Sequence, residues 1–561
     1  MPLVLGLNST HDAAAALLRD GEIVLALEEE RLSRVKHHFG MPLLAVARCV
    51  EAAGVPMEGV AHAAFYMNAR KWLASNAMHF LRSFPGSRGY LDRKPALWRS
   101  FLGVERAFRR ATGFRGRFHF VDHHTAHIES AFWPSGFEEC AALTIDGAGE
   151  AETTVLASVD ERTLTRLVSA RYPRSVGKVW ESVTDWLGWR PTRDEGKVMG
   201  LAPYGDERFV AEFARVLGPR TDGSFHQDME FFAYQRGAPR RFSERFVRAF
   251  GPPRRDGEDI AEHHEAVAFA LQRQTEEVVL ALARFLRQRT RRRRLVMAGG
   301  VALNCVANGR LVREGVFDEV YIQPAAGDDG ACLGAAYHVT HRRLGVPRAA
   351  PPRDAFLGPG FTEAETLAAA AARGLAPERP ADIAAFCADL LARGAILGWM
   401  QGRMEYGPRA LGGRSILGSP CDAGMKDAVN RLVKFREPFR PFAPSVPLED
   451  AGDWFEDARP SPSMLLSFRV REDRRARIPA VTHVDGSARV HTVERAVSPR
   501  FHALLRAFGE RTGVPVLLNT SFNVRGEPIV CSPAEALDAL HRTGLTAVVV
   551  GDLVFRKNPA G

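Results

Sequence analysis

The chain has 561 residues, 46% hydrophobic and 25% charged, with a formal net charge of +9. That size and balance exclude a disordered chain and leave room for about two to four packed domains. Seven widely scattered cysteines without a CxxC pair exclude a disulfide framework and a thiolate zinc site. No uncharged stretch is long enough to cross a membrane, and residues 1–7 are too short an apolar run for a secretory signal, so a cytoplasmic protein is expected.

In chain order, residues 3–7 read as a buried strand and residues 8–12 (Asn8-Ser9-Thr10-His11-Asp12) as a polar turn. Residues 13–18 resume the strand pattern, Asp20-Gly21 signals a hairpin, and residues 23–27 follow as a third strand. The same grammar returns later. Residues 141–145 are a strand, residues 146–150 (Asp146-Gly147-Ala148-Gly149-Glu150) a glycine-rich turn, and residues 153–158 and 164–168 two more strands. Two copies of one unit predict a duplicated α/β domain that resembles the actin-like ATPase fold, in which both turns face a phosphate cleft. Val267, Leu271, Val278, Leu282 and Phe285 mark a long helix, and the run Arg291-Arg292-Arg293-Arg294 reads as its solvated, cationic end. Residues 295–298 form a short strand, Gly299-Gly300 breaks it, and Val301 onward reads as helix. That strand–Gly-Gly–helix order brings backbone amides towards an anion. The Pro- and Gly-rich residues 346–360 predict a linker between a domain over 1–345 and a second α/β domain over 361–561. In the second domain, residues 364–373 and 381–393 read as helices, and residues 395–400 and 514–518 as buried strands.

The sharpest local signal is Asp122-His123-His124-Thr125-Ala126-His127. On a helix, His123 and His127 share one face at i and i+4 and can bind one metal ion. Asp146 opens the second turn, and Asp328 opens another in Gly327-Asp328-Asp329-Gly330. Two imidazoles with carboxylates suit iron(II), manganese or zinc. His124 faces elsewhere and reads as a supporting residue.

Taken together, these residues identify a family resemblance. The further motifs are Glu29-Glu30-Arg31-Leu32-Ser33-Arg34-Val35-Lys36, Glu195-Gly196-Lys197-Val198-Met199-Gly200, Gly299-Gly300-Val301-Ala302-Leu303-Asn304, Tyr406-Gly407-Pro408-Arg409, Arg414-Ser415, Lys434-Phe435-Arg436-Glu437 and Asn519-Thr520-Ser521-Phe522-Asn523. The chain resembles the O-carbamoyltransferases that tailor antibiotics and nodulation factors, over essentially its whole length. The resemblance implies an N-terminal domain similar to the Kae1 type, with the actin-like fold, and a C-terminal domain similar to the YrdC type. It implies that the second domain makes carbamoyl adenylate from carbamoyl phosphate and ATP, with Mg as the nucleotide's counterion. The first domain would then hold the adenylate beside Fe(II) and pass the carbamoyl group to a hydroxyl on a small molecule. In similar sequences the first Asp of the pair occupies the metal position, which favours Asp328 over Asp329.

The residue types suit that chemistry. Arg409, Arg414, Lys434, Arg440 and Arg489 are fixed cationic donors for polyanions, and Asn519, Ser521 and Asn523 alternate so that their polar groups share one side. Lys36, Gly147, Gly149, Glu195, Gly196, Lys197, Gly299, Gly300 and Asn304 are the expected adenylate contacts. The glycines permit close backbone approach. His11, in the first turn, is the expected general base. The acceptor turn holds little negative charge, which favours a neutral sugar or polyketide hydroxyl. Trp72, Phe80, Phe84, Tyr90 and Trp98 are candidates for an apolar acceptor wall.

Competing readings are threonylcarbamoyl transfer to tRNA, carbamoylation of a cysteine in hydrogenase maturation, and a nucleotide-dependent chaperone or regulatory module. No aromatic-interleaved basic element supports a nucleic-acid partner. A chaperone has no use for a two-histidine metal site.

Overall fold

The computed structural model describes residues 2–84 and 102–557, so Tyr90 and Trp98 lie outside the described residues. The chain divides into two compact units. Met1–Ala26 joins Phe39–Pro351 in the first, and Leu27–His38 joins Pro352–Gly561 in the second. The division at Pro351 and Pro352 falls inside the Pro- and Gly-rich stretch.

The first unit is built on two sheets of one design. The first comprises β1 (Leu3–Asn8), β2 (Ala14–Arg19), β3 (Glu22–Glu28), β4 (His62–Phe65) and β5 (Arg117–Phe120), in the order β3-β2-β1-β4-β5. β2 runs antiparallel to β1, while β4 and β5 continue parallel on its other side. The second sheet uses β6 (Glu139–Ile145), β7 (Glu152–Asp160) and β8 (Leu164–Arg171). After a separate small ribbon, β9 (Leu217–Pro219) with β10 (Phe225–Gln227), it adds β11 (Arg294–Ala298) and β12 (Glu319–Ile322). Its order is β12-β11-β6-β7-β8 with the same pattern of directions. The duplicated actin-like α/β architecture read from the two repeats is therefore the observed one. The Asp20–Gly21 hairpin has φ of +54° and +87°, the left-handed pair that a two-residue turn between twisted strands requires.

Two helices form the layer between the sheets. His123–Ser135 packs on β6 and β11, and Asp328–Tyr337 packs on β1, β2 and the first helix. Their contact is close because Gly334 has no side chain: a Cβ there would lie 1.8 Å from the Ala126 carbonyl oxygen. Gly6 on β1 likewise makes room for the Cys332 carbonyl, where a Cβ would sit 1.9 Å from the oxygen. His123 and Asp328 are each the first residue of their helix, so this packing brings the two helix starts together.

The long helix is observed over Glu262–Thr290, with Arg291 left-handed at its end (φ +56°). The arginine run is paired rather than loose, Arg292 with Glu139, Arg293 with Asp318, and Arg294 with Glu319. All seven cysteines are free, and only Cys421 is exposed. No helix among the described residues is long and apolar enough to cross a membrane.

The second unit is a mixed eight-stranded sheet flanked by helices. Its strands are β13 (Leu397–Met400), β14 (Arg414–Gly418), β15 (Ala443–Pro447), β16 (Leu466–Arg469), β17 (Ser487–Val493), β18 (Leu517–Ser521), β19 (Ala547–Val550) and β20 (Leu553–Phe555), in the order β16-β17-β15-β18-β14-β13-β19-β20. Helices Glu363–Ala371 and Ile383–Ala392 stand where the sequence predicts them. The strand expected over 514–518 instead begins at Leu517, two residues past Pro515, which has no N–H for the ladder. The shift places Asn519 and Ser521 inside β18.

Candidate functional site

In the first unit, the helix-start packing gathers His123, His127, Asp146 and Asp328. One ligand atom from each lies within 4.8 Å of all the others. His123 Nε2 is 2.9 Å from Asp146 Oδ2, 3.1 Å from His127 Nε2 and 3.7 Å from Asp328 Oδ1. His127 Nε2 is 3.5 Å from Asp328 Oδ1. Both imidazoles are fully buried, and burial opposes charge on His127, yet hydrogen bonds to Asp146 and Asp328 push its pKa up to about 9. Burial works against the Asp146 carboxylate, but His123 and His127 hold it well below the usual range. Two imidazole nitrogens and two carboxylates converging in a largely buried pocket form a donor set that a divalent cation fits. Asp328, rather than Asp329, belongs to the quartet. His124 turns away to Thr144 Oγ1 at 2.8 Å.

Residues that the sequence did not single out support the quartet. Asp328 Oδ2 faces Thr10 Oγ1 and the Tyr66 hydroxyl, both at 3.4 Å. Asn8, fully buried, ties the first turn together by donating to the Asp12 and Asp328 carbonyls at 3.0 Å and accepting from Thr10 N at 2.8 Å. Glu150 accepts from the backbone N–H of His123 at 3.0 Å and of Asn68 at 2.7 Å, holding the helix start in place. These are short-range polar contacts of loops that meet only in three dimensions.

His11 sits on the first turn at the surface of this pocket. The surrounding protein lowers its pKa, and Asp328, Asp12 and Asp146 more than offset this, so the net direction is upward. Gly299 has φ +92°, and a Cβ there would lie 2.4 Å from the Ile145 carbonyl oxygen; Gly300 N donates to Asp146 Oδ1 at 3.0 Å. A Cβ at Gly149 would come within 2.8 Å of the His123 ring, so glycine is required on that side too. Ser175 fastens the helix Val176–Trp186 to the second turn, donating to the carbonyls of Asp146 (3.0 Å) and Gly147 (2.8 Å). Lys178, on that helix, pairs with Glu181 at 2.6 Å. Glu195, Gly196 and Lys197 open the helix Glu195–Leu201. Lys197 reaches Asp194 at 3.3 Å, and burial together with Glu181 pushes the Glu195 carboxyl up to about 7.

Asn304 is the cap of the helix Cys305–Arg313, accepting from Ala307 N at 3.0 Å, and its amide donates to Gln272 Oε1 at 2.9 Å. The helix expected from Val301 onward opens as a 3-10 helix over Gly300–Leu303 and continues as an α-helix from Cys305. Trp72 is buried in the helix Ala69–Ser83, while Phe84 beyond it is exposed.

Lys36 lies in Leu27–His38, which groups with the second unit, where its charge acts on Lys434. There, Lys434 is buried with its ammonium held by Asn523 Oδ1 (2.6 Å), the Ser521 carbonyl (2.8 Å), the Asn523 carbonyl (2.9 Å) and Ser521 Oγ (3.2 Å). Burial, then Arg436, Lys36 and Arg440, depress its pKa. Burial, Arg440 and Arg489 likewise depress Arg436, with Glu437 opposing. Lys434, Arg440 and Arg489 thus cluster as the sequence suggests, and Arg436 joins them. Asn519 is buried and donates to the Ala410 carbonyl at 3.2 Å and Ser445 Oγ at 2.9 Å, its own Oδ1 being without a partner.

Arg414 stands differently from the expectation that it holds phosphate. It is fully buried, and its guanidinium donates to the carbonyls of Gly413 (2.9 Å), Gln401 (3.2 Å), Cys531 (3.2 Å), Gly402 (3.3 Å) and Pro359 (3.3 Å), which makes it the framework of the loops around it. Arg409 is half-buried on the loop after Gly407. Buried Glu405 organises that loop, accepting from the N–H groups of Leu411 (2.7 Å), Gly413 (2.7 Å) and Arg414 (3.0 Å).

Comparison with known proteins places the chain in a family. Residues 3–337 match the family model described as carbamoyltransferase N-terminus, and residues 388–557 match carbamoyltransferase C-terminus. The nodulation protein NolNO of Sinorhizobium fredii is 39% identical over 98% of this chain and 79% of its own length. The 3'-hydroxymethylcephem-O-carbamoyltransferase of Streptomyces clavuligerus is 29% identical over 99% of both chains. An uncharacterized protein of Synechocystis is 39% identical over 99% of this chain and 97% of its own. With both halves matched in order, the chain belongs to the carbamoyltransferase family.

Proposed function

We propose that this enzyme is an O-carbamoyltransferase that converts carbamoyl phosphate and ATP into carbamoyl adenylate and transfers the carbamoyl group to a hydroxyl of a small natural product. The observation that carries this reading is the cluster of buried Lys434 with half-buried Arg436, Arg440 and Arg489, in which Arg436 and Arg440 depress Lys434, and Arg440 and Arg489 depress Arg436. Cations massed against one another in a protein interior are stabilised by a polyanion, and both cosubstrates are polyanions. Ser521 and Asn523 keep the Lys434 ammonium fixed, and Glu405 shapes the loop that carries Arg409. Adenylation balances when carbamoyl phosphate loses phosphate to water and the resulting carbamate oxygen attacks the α-phosphorus of ATP, releasing pyrophosphate.

The transfer step belongs to the first unit. His123, His127, Asp146 and Asp328 would hold a divalent metal, iron(II) in this reading, which when bound supplies Lewis-acid stabilisation of negative charge. The chain's own residues do the rest. Thr10 and Tyr66 orient Asp328, and the glycines at 149, 299 and 300 let the turns close on His123, Ile145 and Asp146. His11 takes the proton of the attacking hydroxyl as its oxygen joins the carbamoyl carbon, and AMP leaves with the electron pair of the broken C–O bond. Support for a hydroxyl acceptor comes from the cephem-O-carbamoyltransferase at 29% identity over 99% of both chains.

Pyrophosphate release from ATP by the iron-loaded protein without acceptor tests the reading. Release that requires carbamoyl phosphate and disappears in Arg409→Ala is expected. Release indifferent to carbamoyl phosphate would overturn the two-step mechanism.

A further inference from the structure

The second glycine turn carries a cation that the sequence gives no reason to notice. Lys178 lies on the helix Val176–Trp186, whose start Ser175 pins to the carbonyls of Asp146 and Gly147. A half-buried lysine ordinarily extends its stem so that the ammonium reaches water. Lys178 folds onto the turn instead: Glu181 Oε1 lies 3.2 Å, and Lys178 Cε and Nζ each 3.7 Å, from the point a β-carbon on Gly147 would occupy. Its partner is Glu181, at 2.6 Å, and Glu181 also accepts from Arg241 Nε at 3.2 Å. One carboxylate is therefore shared by two cations, so Lys178 is only partly neutralised by its partner. Across from it, the amide of Gly300 is turned towards Asp146 Oδ1 at 3.0 Å. The Glu195 carboxyl, pushed up to about 7 by burial and by Glu181, is ionised only in part at neutral pH.

We propose that Lys178 binds the phosphate of the adenylate, and of the AMP it becomes, against the Gly147 turn, with Glu181 and Arg241 as positioning residues. This rests on the function proposed above and adds a specific ligand contact to it. As the hydroxyl oxygen bonds to the carbamoyl carbon, the C–O bond to the phosphate breaks and its electrons pass to AMP, whose phosphate gains one negative charge. A fixed ammonium there favours the departing group over the intact adenylate.

The test is calorimetric titration of AMP and of adenosine into the full-length protein, with Lys434→Met identifying any AMP site that belongs to the second unit. Lys178→Met should weaken AMP binding at the remaining site about 10- to 100-fold, leave adenosine unchanged and flatten the salt dependence of AMP affinity; Lys178→Arg should recover most of the loss. AMP affinity within twofold of wild type, a parallel loss of AMP and adenosine, or no AMP binding at the first unit of the wild-type protein would each overturn the assignment. Carbamoyl-phosphate-dependent pyrophosphate release by the wild-type protein is read on the same preparation. Its absence would fail the proposed function, whereas its presence with unchanged AMP affinity would fail the lysine assignment alone.

Discussion

Arg31 and Glu28 hold a single residue, Gly407, by both its backbone groups. Arg31 donates to the Gly407 carbonyl at 2.9 Å, Glu28 accepts from the Gly407 N–H at 3.0 Å, and the two side chains are themselves paired at 3.1 Å. Both are almost completely buried, and Gly407 has φ +115°, a conformation that favours glycine. The clamp sits two residues before Arg409, so a segment of the first forty residues sets the position of a proposed carbamoyl-phosphate ligand. Arg34 continues the attachment through the carbonyls of Ile529 (2.7 Å) and Pro528 (2.9 Å). Replacing Arg31 with Ala leaves Glu28 buried and unpaired, which costs about 3–5 kcal/mol in denaturant unfolding of the second unit. Glu28→Gln retains an acceptor and is milder; it should raise KM for carbamoyl phosphate more than it lowers kcat.

Much of the first unit was legible because its signals are local. The i, i+4 spacing of His123 and His127 is a property of one helix, and Asp146 and Asp328 each open a turn visible in the sequence. What escaped is tertiary. Lys36, an adenylate contact by the family resemblance, lies on a segment that the Glu28–Arg31–Gly407 clamp ties into the second unit, a grouping no local pattern announces. Arg414 looks like any other anion-binding arginine until the five carbonyls around it are seen. Tyr66 ends an unremarkable strand, and only the packing of Asp328–Tyr337 on β1 brings its hydroxyl to Asp328.

That hydroxyl gives a prediction about metal retention. Tyr66 OH and Thr10 Oγ1, 2.5 Å apart, both face the outer oxygen of Asp328. Removing such an orienting partner usually weakens a metal site about 10- to 100-fold. Tyr66→Phe should therefore lower iron(II) affinity by that factor in competition with a chelator, without changing the unfolding midpoint of the metal-free protein by more than a few degrees. Asp328→Asn should lose the metal almost entirely, read as metal content after dialysis.

Gly299 should tolerate no side chain. Alanine there must hold φ near +92° and place a Cβ 2.4 Å from the Ile145 carbonyl oxygen, the residue before Asp146. Strain and overpacking together are expected to cost about 2–4 kcal/mol, and relief by moving Ile145 displaces Asp146 from the quartet. Gly299→Ala is accordingly expected to lower both thermal stability and bound metal, whereas at Gly196, where a Cβ meets nothing within 4 Å, Ala should leave both unchanged.

Glu195 sets a pH dependence of stability whose sign follows from its direction of shift. Burial, with Glu181 adding to it, raises the folded carboxyl from 4.5 to about 7. The folded chain therefore binds the proton more tightly than the unfolded chain. Its contribution to stability is fully present below about 4.5 and is lost as pH rises to about 7. Unfolding free energies measured across that interval should fall more steeply with pH in the wild type than in Glu195→Gln, which is neutral throughout. Equal slopes would place the titration on another group. Because Lys178 shares Glu181 with Arg241, Lys178→Met should move the Glu195 midpoint upward, as the carboxylate that raises it loses one of its two cations.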